Sequence, residues 1–159
     1  MYYNIYSETN IRFLLYLVEE CRYVKQELNY HPEGDVYNHS LQVLFIAFRE
    51  SRDIDLILAG LLHDVGKIID SKGHENYGVE ILEGYVSDKT IWLVENHMRI
   101  KYFLSGELKK RKKVLMLFNN DWFKDLILLN RWDNMGRKPN FNSSCDKNKI
   151  LDRLMEVTS

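Results

Sequence analysis

The chain is 159 residues long, 45% hydrophobic and 28% charged, with a formal net charge of -1. That length suits one domain with a substantial core, and the near-neutral balance excludes a global basic field that would gather nucleic acid, so any such contact has to be local. Cys21 and Cys145 form no metal-like or redox-like pair, so reduced thiols are the default, and with neither a cationic leader nor a bilayer-length apolar run the expected compartment is the cytoplasm, with no membrane partner.

Apolar residues recur at spacings of three and four and seldom at two, which predicts an all-α fold of about seven helices. There is no internal repeat and no low-complexity linker. The first helix is expected over 9–29, with Ile11, Leu14, Leu15, Val18 and Cys21 on one face. His31-Pro32-Glu33-Gly34-Asp35 then breaks it, and Asp35 caps a second helix over 36–51 that carries His39 near its start. Asp53 caps the third, which Gly66 ends. A fourth is expected over 74–85, and a fifth, capped by Ser87 or Asp88, finishes near His97. The sixth, over 107–118, holds Lys109, Lys110, Arg111, Lys112 and Lys113. Such a run is a solvated face unless it borders a cleft, where it would attract a polyanion. Asp121 caps a seventh over 122–133, stopped by Gly136 and Pro139, and Trp122 and Trp132 read as core. The tail from 140 is expected to be loose until 147–157, which forms a last amphipathic turn or two.

The third helix organises the rest. LAGLLHDVGK, residues 58–67, is apolar on nearly every side and ends in His63-Asp64, Gly66 and Lys67. A helix of that kind runs through a core, and an imidazole and a carboxylate at its buried end are costly unless something binds them. The other histidines fall in step. His39 is in phase with Val43, Ile46 and Ala47; His74 with Tyr77, Gly78, Ile81, Leu82 and Tyr85; His97 with Leu93 and Val94. Asp133 follows Leu126 and Leu129 at the same spacing. Four helices thus aim a histidine inward and a fifth aims an aspartate. A shared cation satisfies them together, and neutral imidazole with carboxylate suits zinc, iron, nickel, cobalt or manganese.

The order His39, His63-Asp64, Asp133 resembles the HD superfamily of metal-dependent phosphohydrolases. HPEGDVYNHSL (31–41), LAGLLHDVGK (58–67) and GHENYGVEIL (73–82) are similar to the HD domain attached to bacterial tRNA nucleotidyltransferases. The resemblance spans roughly 29–137 of a single HD domain covering 1–159. The nucleotidyltransferase head has no counterpart, so nucleotide addition is not expected. The resemblance implies one metal held by His39, His63, Asp64 and Asp133. It places His74 and His97 where two-metal members supply a second set, with Asp64 bridging. Lys67 corresponds to a phosphate-contacting lysine, although a basic residue favoured by a helix C-terminus would look the same. Arg137, four after Asp133, can steady a phosphate, whereas Arg131 lies on another side. His31, Glu33 and Asp35 are expected at the rim or just behind the ligands, His31 toward substrate. The expected activity is hydrolysis of a nucleotide or nucleotide-like phosphoester, of phosphatase, 2'-nucleotidase or 2',3'-cyclic phosphodiesterase type. Asp64, Lys67 and His97 are its expected catalytic residues, and a nucleic-acid partner is left open but not favoured. An HD-type di-iron oxygenase and a non-catalytic nucleotide- or RNA-binding module are the alternatives.

Overall fold

The computed structural model describes residues 3–139, 141 and 145–159. Among them run eight α-helices and no β-strand: α1 (Glu8–Glu20), α2 (Val36–Glu50), α3 (Ile54–Leu62), α4 (His74–Leu82), α5 (Asp88–Leu104), α6 (Arg111–Phe118), α7 (Phe123–Met135) and α8 (Lys147–Thr158). The all-α expectation holds. The eighth helix is the tail, which makes three turns rather than one or two and sets Ile150, Leu151 and Leu154 against α1 and α3. The loose stretch expected from 140 falls largely outside the described residues.

Residues 56–62 of α3 are buried without a break, against α2, α5 and α7. Asp53 caps the helix as expected, its side chain accepting from the Asp55 and Leu56 amides. Removing this continuous apolar surface from water is the dominant stabilising term of the bundle. Trp132 is fully buried in the same core, while Trp122 is half-buried against Trp92. No described helix is long and apolar enough to cross a membrane.

Several helix boundaries differ from the sequence expectation, and two of the differences shape the functional site. α3 stops at Leu62, before the His63-Asp64 pair, and a 3-10 turn follows over Val65–Ile68. Gly66 therefore does not end the helix. A Cβ there would lie 1.9 Å from the His74 carbonyl oxygen, so glycine is what lets the turn pack backbone to backbone on α4. α5 does not stop near His97 but continues for nearly two turns to Leu104, because Ile100 keeps the buried stripe going. α1 ends at Glu20 rather than continuing to 29. Its apolar periodicity lapses after Cys21, and a short antiparallel pairing takes over, with the Val36 amide on the Val24 carbonyl (3.1 Å) and the Gln26 amide on the Gly34 carbonyl (3.0 Å). α6 begins at Arg111, since the Glu107 and Leu108 amides both turn back to the Tyr102 carbonyl. At the start of α7 the side-chain acceptor is Asn120, which takes the Trp122 amide at 2.8 Å, in place of the expected Asp121. Tyr85 falls beyond the end of α4 and is 39% exposed, so it does not extend that inward face.

Candidate metal centre

His63 caps the C-terminus of α3, and Asp64 begins the turn after it, so neither is held at helical spacing. Leaving the helix lets both side chains face one point. His39 reaches that point from the first turn of α2 and Asp133 from the last turn of α7. His39 Nε2 lies 3.3 Å from His63 Nε2, 2.9 Å from Asp133 Oδ1 and 3.7 Å from Asp64 Oδ2. His63 Nε2 lies 3.5 Å from Asp64 Oδ2 and 3.6 Å from Asp133 Oδ1. On the other side of Asp64 a second group forms. His74 Nε2, from the start of α4, lies 3.0 Å from Asp64 Oδ1 and 3.0 Å from His97 Nε2, which is 3.6 Å from the same oxygen. One carboxylate thus offers one oxygen to each of two donor sets.

Hydrogen bonds on the far side of the rings fix what these nitrogens are. The Nδ1 of His39, His63, His74 and His97 each donate to a main-chain carbonyl, of Gly136, Gly60, Ser71 and Val94, at 2.6–2.9 Å. A carbonyl can only accept, so in the neutral ring the proton is on Nδ1 and Nε2 carries a lone pair. In neutral rings, two such buried lone pairs facing each other at 3.0 or 3.3 Å cannot bond to one another. A cation between them would satisfy both. A cation about 2.1 Å from each donor spaces its donors roughly 3.0–3.4 Å apart, close to the separations seen in both groups. The donor chemistry, nitrogen with carboxylate oxygen, fits a divalent metal. His39-His63-Asp64 and Asp64-His74-His97 can each hold an ion, and Asp133 completes the first set.

Protons on the same Nε2 atoms are the chain's own alternative to a cation, and the electrostatics show how strongly positive charge is held there. Burial pushes the Asp64 carboxyl upward, but the charges of His63 and Lys67 and hydrogen bonds from His74 and His97 outweigh it, leaving it ionised well below the usual range. Asp133 is likewise buried, and His39 and His63 hold it ionised. His39 itself is pushed down by burial and more strongly up by Asp133 and Glu33, to about 10. Surroundings that hold a proton on Nε2 so firmly also favour a metal ion there. His97 is shifted down, by its burial and the neighbouring imidazoles. Glu33, whose Oε1 lies 3.1 Å from His39 Nδ1 and 3.0 Å from His31 Nδ1, is pushed up by burial and brought down to about 2 by those two bonds. It orients the His39 imidazole from behind, as a carboxylate does beside a metal-bound histidine. Asp35 instead caps α2, through the Asn38 amide.

A cleft of about 360 Å³ opens above the donors, and Lys67, Lys72, Lys101, Arg137 and His31 line it. Lys67 Nζ is 3.1 Å from Asp64 Oδ2 and 2.8 Å from Gln26 Oε1, so it points at the site rather than off a helix end. Arg137 Nη2 is 3.6 Å from Asp133 Oδ1. Arg131 pairs with Glu50, away from the cleft. The basic run Lys109–Lys113 is exposed and takes no part in the cleft wall. Lys101 is the functional neighbour that sequence reasoning missed: its Nζ lies 2.6 Å from Asp133 Oδ2. Its position four after His97 was the available signal, concealed by ending α5 too soon.

No curated protein matches the chain. A family model described as the HD domain matches residues 36–119, more than half of the chain. That span contains His39, His63, Asp64, His74 and His97, while Asp133 lies beyond it and joins them only through the packing of α7. With the all-helical fold and the buried histidine-aspartate cluster, this match shows that the chain belongs to the HD-domain family, whose members are typically metal-dependent hydrolases.

Proposed function

We propose that the chain is a metal-dependent phosphohydrolase acting on a nucleotide or nucleotide-like phosphoester. The observation that carries this reading is the cleft itself, where a floor of convergent imidazoles and carboxylates lies under a rim of Lys67, Lys72, Lys101 and Arg137. His39, His63, Asp64 and Asp133 would hold one divalent transition metal, of the manganese, iron, nickel, cobalt or zinc type, and Asp64, His74 and His97 a second. Such an ion supplies Lewis acidity toward a phosphoryl oxygen and a water of lowered pKa.

The chain's own residues do the rest. Lys67 and Arg137 bind phosphoryl oxygens, the first as a point charge and the second as a planar fork. Lys101 offsets the charge of Asp133 and reaches the same cleft. His31, held through Nδ1 by Glu33, keeps its other nitrogen for substrate. If only the first set holds an ion, His97 is left to contact phosphate or to protonate the leaving oxygen. The motif resemblance to the HD domain of tRNA nucleotidyltransferases supports phosphatase, 2'-nucleotidase or 2',3'-cyclic phosphodiesterase activity. Six donors would also suit a di-iron oxygenase, but a cationic rim favours a phosphate-bearing substrate. The test is a phosphoester panel run against each metal after elemental analysis of the purified protein. We expect nucleotide hydrolysis that chelation abolishes. Equal hydrolysis by metal-free protein would overturn the mechanism, and substrate-dependent oxygen uptake would favour the oxygenase.

A further inference from the structure

A second depression, of about 370 Å³, adjoins the first and shares His31, Lys67 and Ser71 with it. We infer that it is a subsite for the flat, uncharged half of the substrate, a nucleobase, when the phosphate lies over the histidine-aspartate floor. This rests on the phosphohydrolase reading and adds to it the residues that would hold the base of a nucleotide.

Two side chains of the second wall carry the argument. Gln26 Oε1 accepts from Lys67 Nζ at 2.8 Å. An ammonium has no lone pair, so the atom facing it must be the amide oxygen, which leaves Nε2 on the other side of the amide. That nitrogen is buried and has no hydrogen-bond partner. A buried donor left unmet is unfavourable, and Gln26 lines the depression. A ligand acceptor, such as a base carbonyl or ring nitrogen, would satisfy it. The second side chain is Tyr30, 67% exposed on the same wall. Its main chain is fixed, the amide on the Glu27 carbonyl and the carbonyl oxygen taking Arg137 Nη1 at 3.1 Å. A solvent-facing ring on an anchored backbone is a stacking platform for a base.

The position of Gln26 is fixed too, because its amide forms a rung of the pairing with Gly34. The cations divide unequally between the two depressions. Beyond the shared Lys67 the first adds Lys72, Lys101 and Arg137, whereas the second adds only Lys25 and sets Glu27 against it. The second wall therefore offers a phosphate fewer partners than the first and suits a neutral ring. Lys67 joins the two, touching Asp64 on one side and Gln26 on the other, so one residue registers both halves of the ligand.

The test is equilibrium binding by calorimetry to the metal-loaded full chain. The probes are the 2', 3' and 5' monophosphates of adenosine and inorganic phosphate, with hydrolysis followed in parallel. At least one nucleotide is expected to bind tenfold or more tightly than phosphate. Tyr30→Ala and Gln26→Glu should each remove most of that advantage, read as the ratio of nucleotide to phosphate affinity, while Tyr30→Phe keeps it. Gln26→Glu retains the oxygen that Lys67 needs and turns the free donor into an acceptor. No nucleotide preference, or a preference that survives both substitutions, overturns the subsite. Tyr30-dependent nucleotide binding without hydrolysis upholds the subsite and refutes the hydrolase. Hydrolysis of glycerol 2-phosphate as fast as of any nucleotide, with no Tyr30 effect on binding, does the reverse.

Discussion

The two ends of α3 both draw on α5 and α7 and reach opposite solutions, the C-terminal end with α2 and α4 added. At the N-terminus, Asp53 and Asp125 share Lys89, whose Nζ lies 2.5 and 2.6 Å from them. Burial pushes the Asp53 carboxyl up, and Lys89 and two main-chain amides more than offset it; Lys89 is pushed down by burial and raised further by its two partners. At the C-terminus, α5 and α7 again contribute, now with His97, Lys101 and Asp133, but imidazole nitrogens and carboxylate oxygens converge on one centre. The first cluster is neutralised by a cation that is part of the chain. The second has its lysines at the edge and leaves its centre for a cation from outside. Two similar inventories of charge therefore divide into a structural tie and a binding site according to where the ammonium sits.

The sharpest way to break this comparison is to remove one carboxylate from each end. Asp64→Ala should abolish metal binding, measured by elemental analysis, and lower turnover by orders of magnitude. Asp125→Ala should leave metal content unchanged; loss of the ion in that variant would mean that the two ends are not independent. His97→Ala separates two ions from one. If the second set is occupied, metal content after equal manganese or iron loading falls by about half, whereas equal occupancy removes His97 from the ligands.

A pH experiment follows from His39. A proton and a metal compete for its Nε2, and its pKa of about 10 means that the proton is present at neutral pH. Metal binding should therefore release about one proton and tighten up to about tenfold per pH unit below that value. Calorimetry in two buffers of different ionisation enthalpy measures the release, and none would contradict His39 as a ligand.

The smallest effect belongs to the N-terminal tie. Lys89→Met should lower stability by about 1 kcal/mol, or roughly 2–4 °C in Tm. The sign with pH is fixed by the shifts. Asp53, lowered in the folded state, contributes above its unfolded pKa of about 4 and loses that contribution as the pH falls through the folded value. Lys89, raised, contributes below about 10.4 and loses it as the pH rises through its folded value. The penalty of the variant should therefore fade toward acid and toward strong alkali, and chelator should not change it.

Much of the site was legible because burial on a helix is periodic. His39, His74, His97 and Asp133 announced their direction through apolar neighbours three and four residues away, and all four are buried. The all-α class followed from the same periodicity. Positions set by loops and by distance in space were not legible. Gln26 lies within the 9–29 expected as helix and Tyr30 just beyond it; the lapse of apolar periodicity after Cys21 marks where the helix ends but does not reveal the pairing of 24–26 with 34–36. Lys101 was lost to a boundary error of seven residues at the end of α5, since a polar stretch with one buried Ile100 gives a weak signal for continuing.

The bare peptide at Gly66 has a mechanical consequence. The turn bearing Asp64 and the first turn of α4 touch without a side chain between them, and a methyl would meet the His74 carbonyl oxygen at 1.9 Å and the Gly78 amide nitrogen at 2.6 Å. Neither obstacle is a flexible side chain that can swing aside. A single added carbon would act as a wedge, driving α4 outward and carrying His74 away from Asp64 while α2, α3 and α7 stay in register. Gly66→Ala should thus loosen one half of the centre by shape alone, with every donor atom still present in the chain.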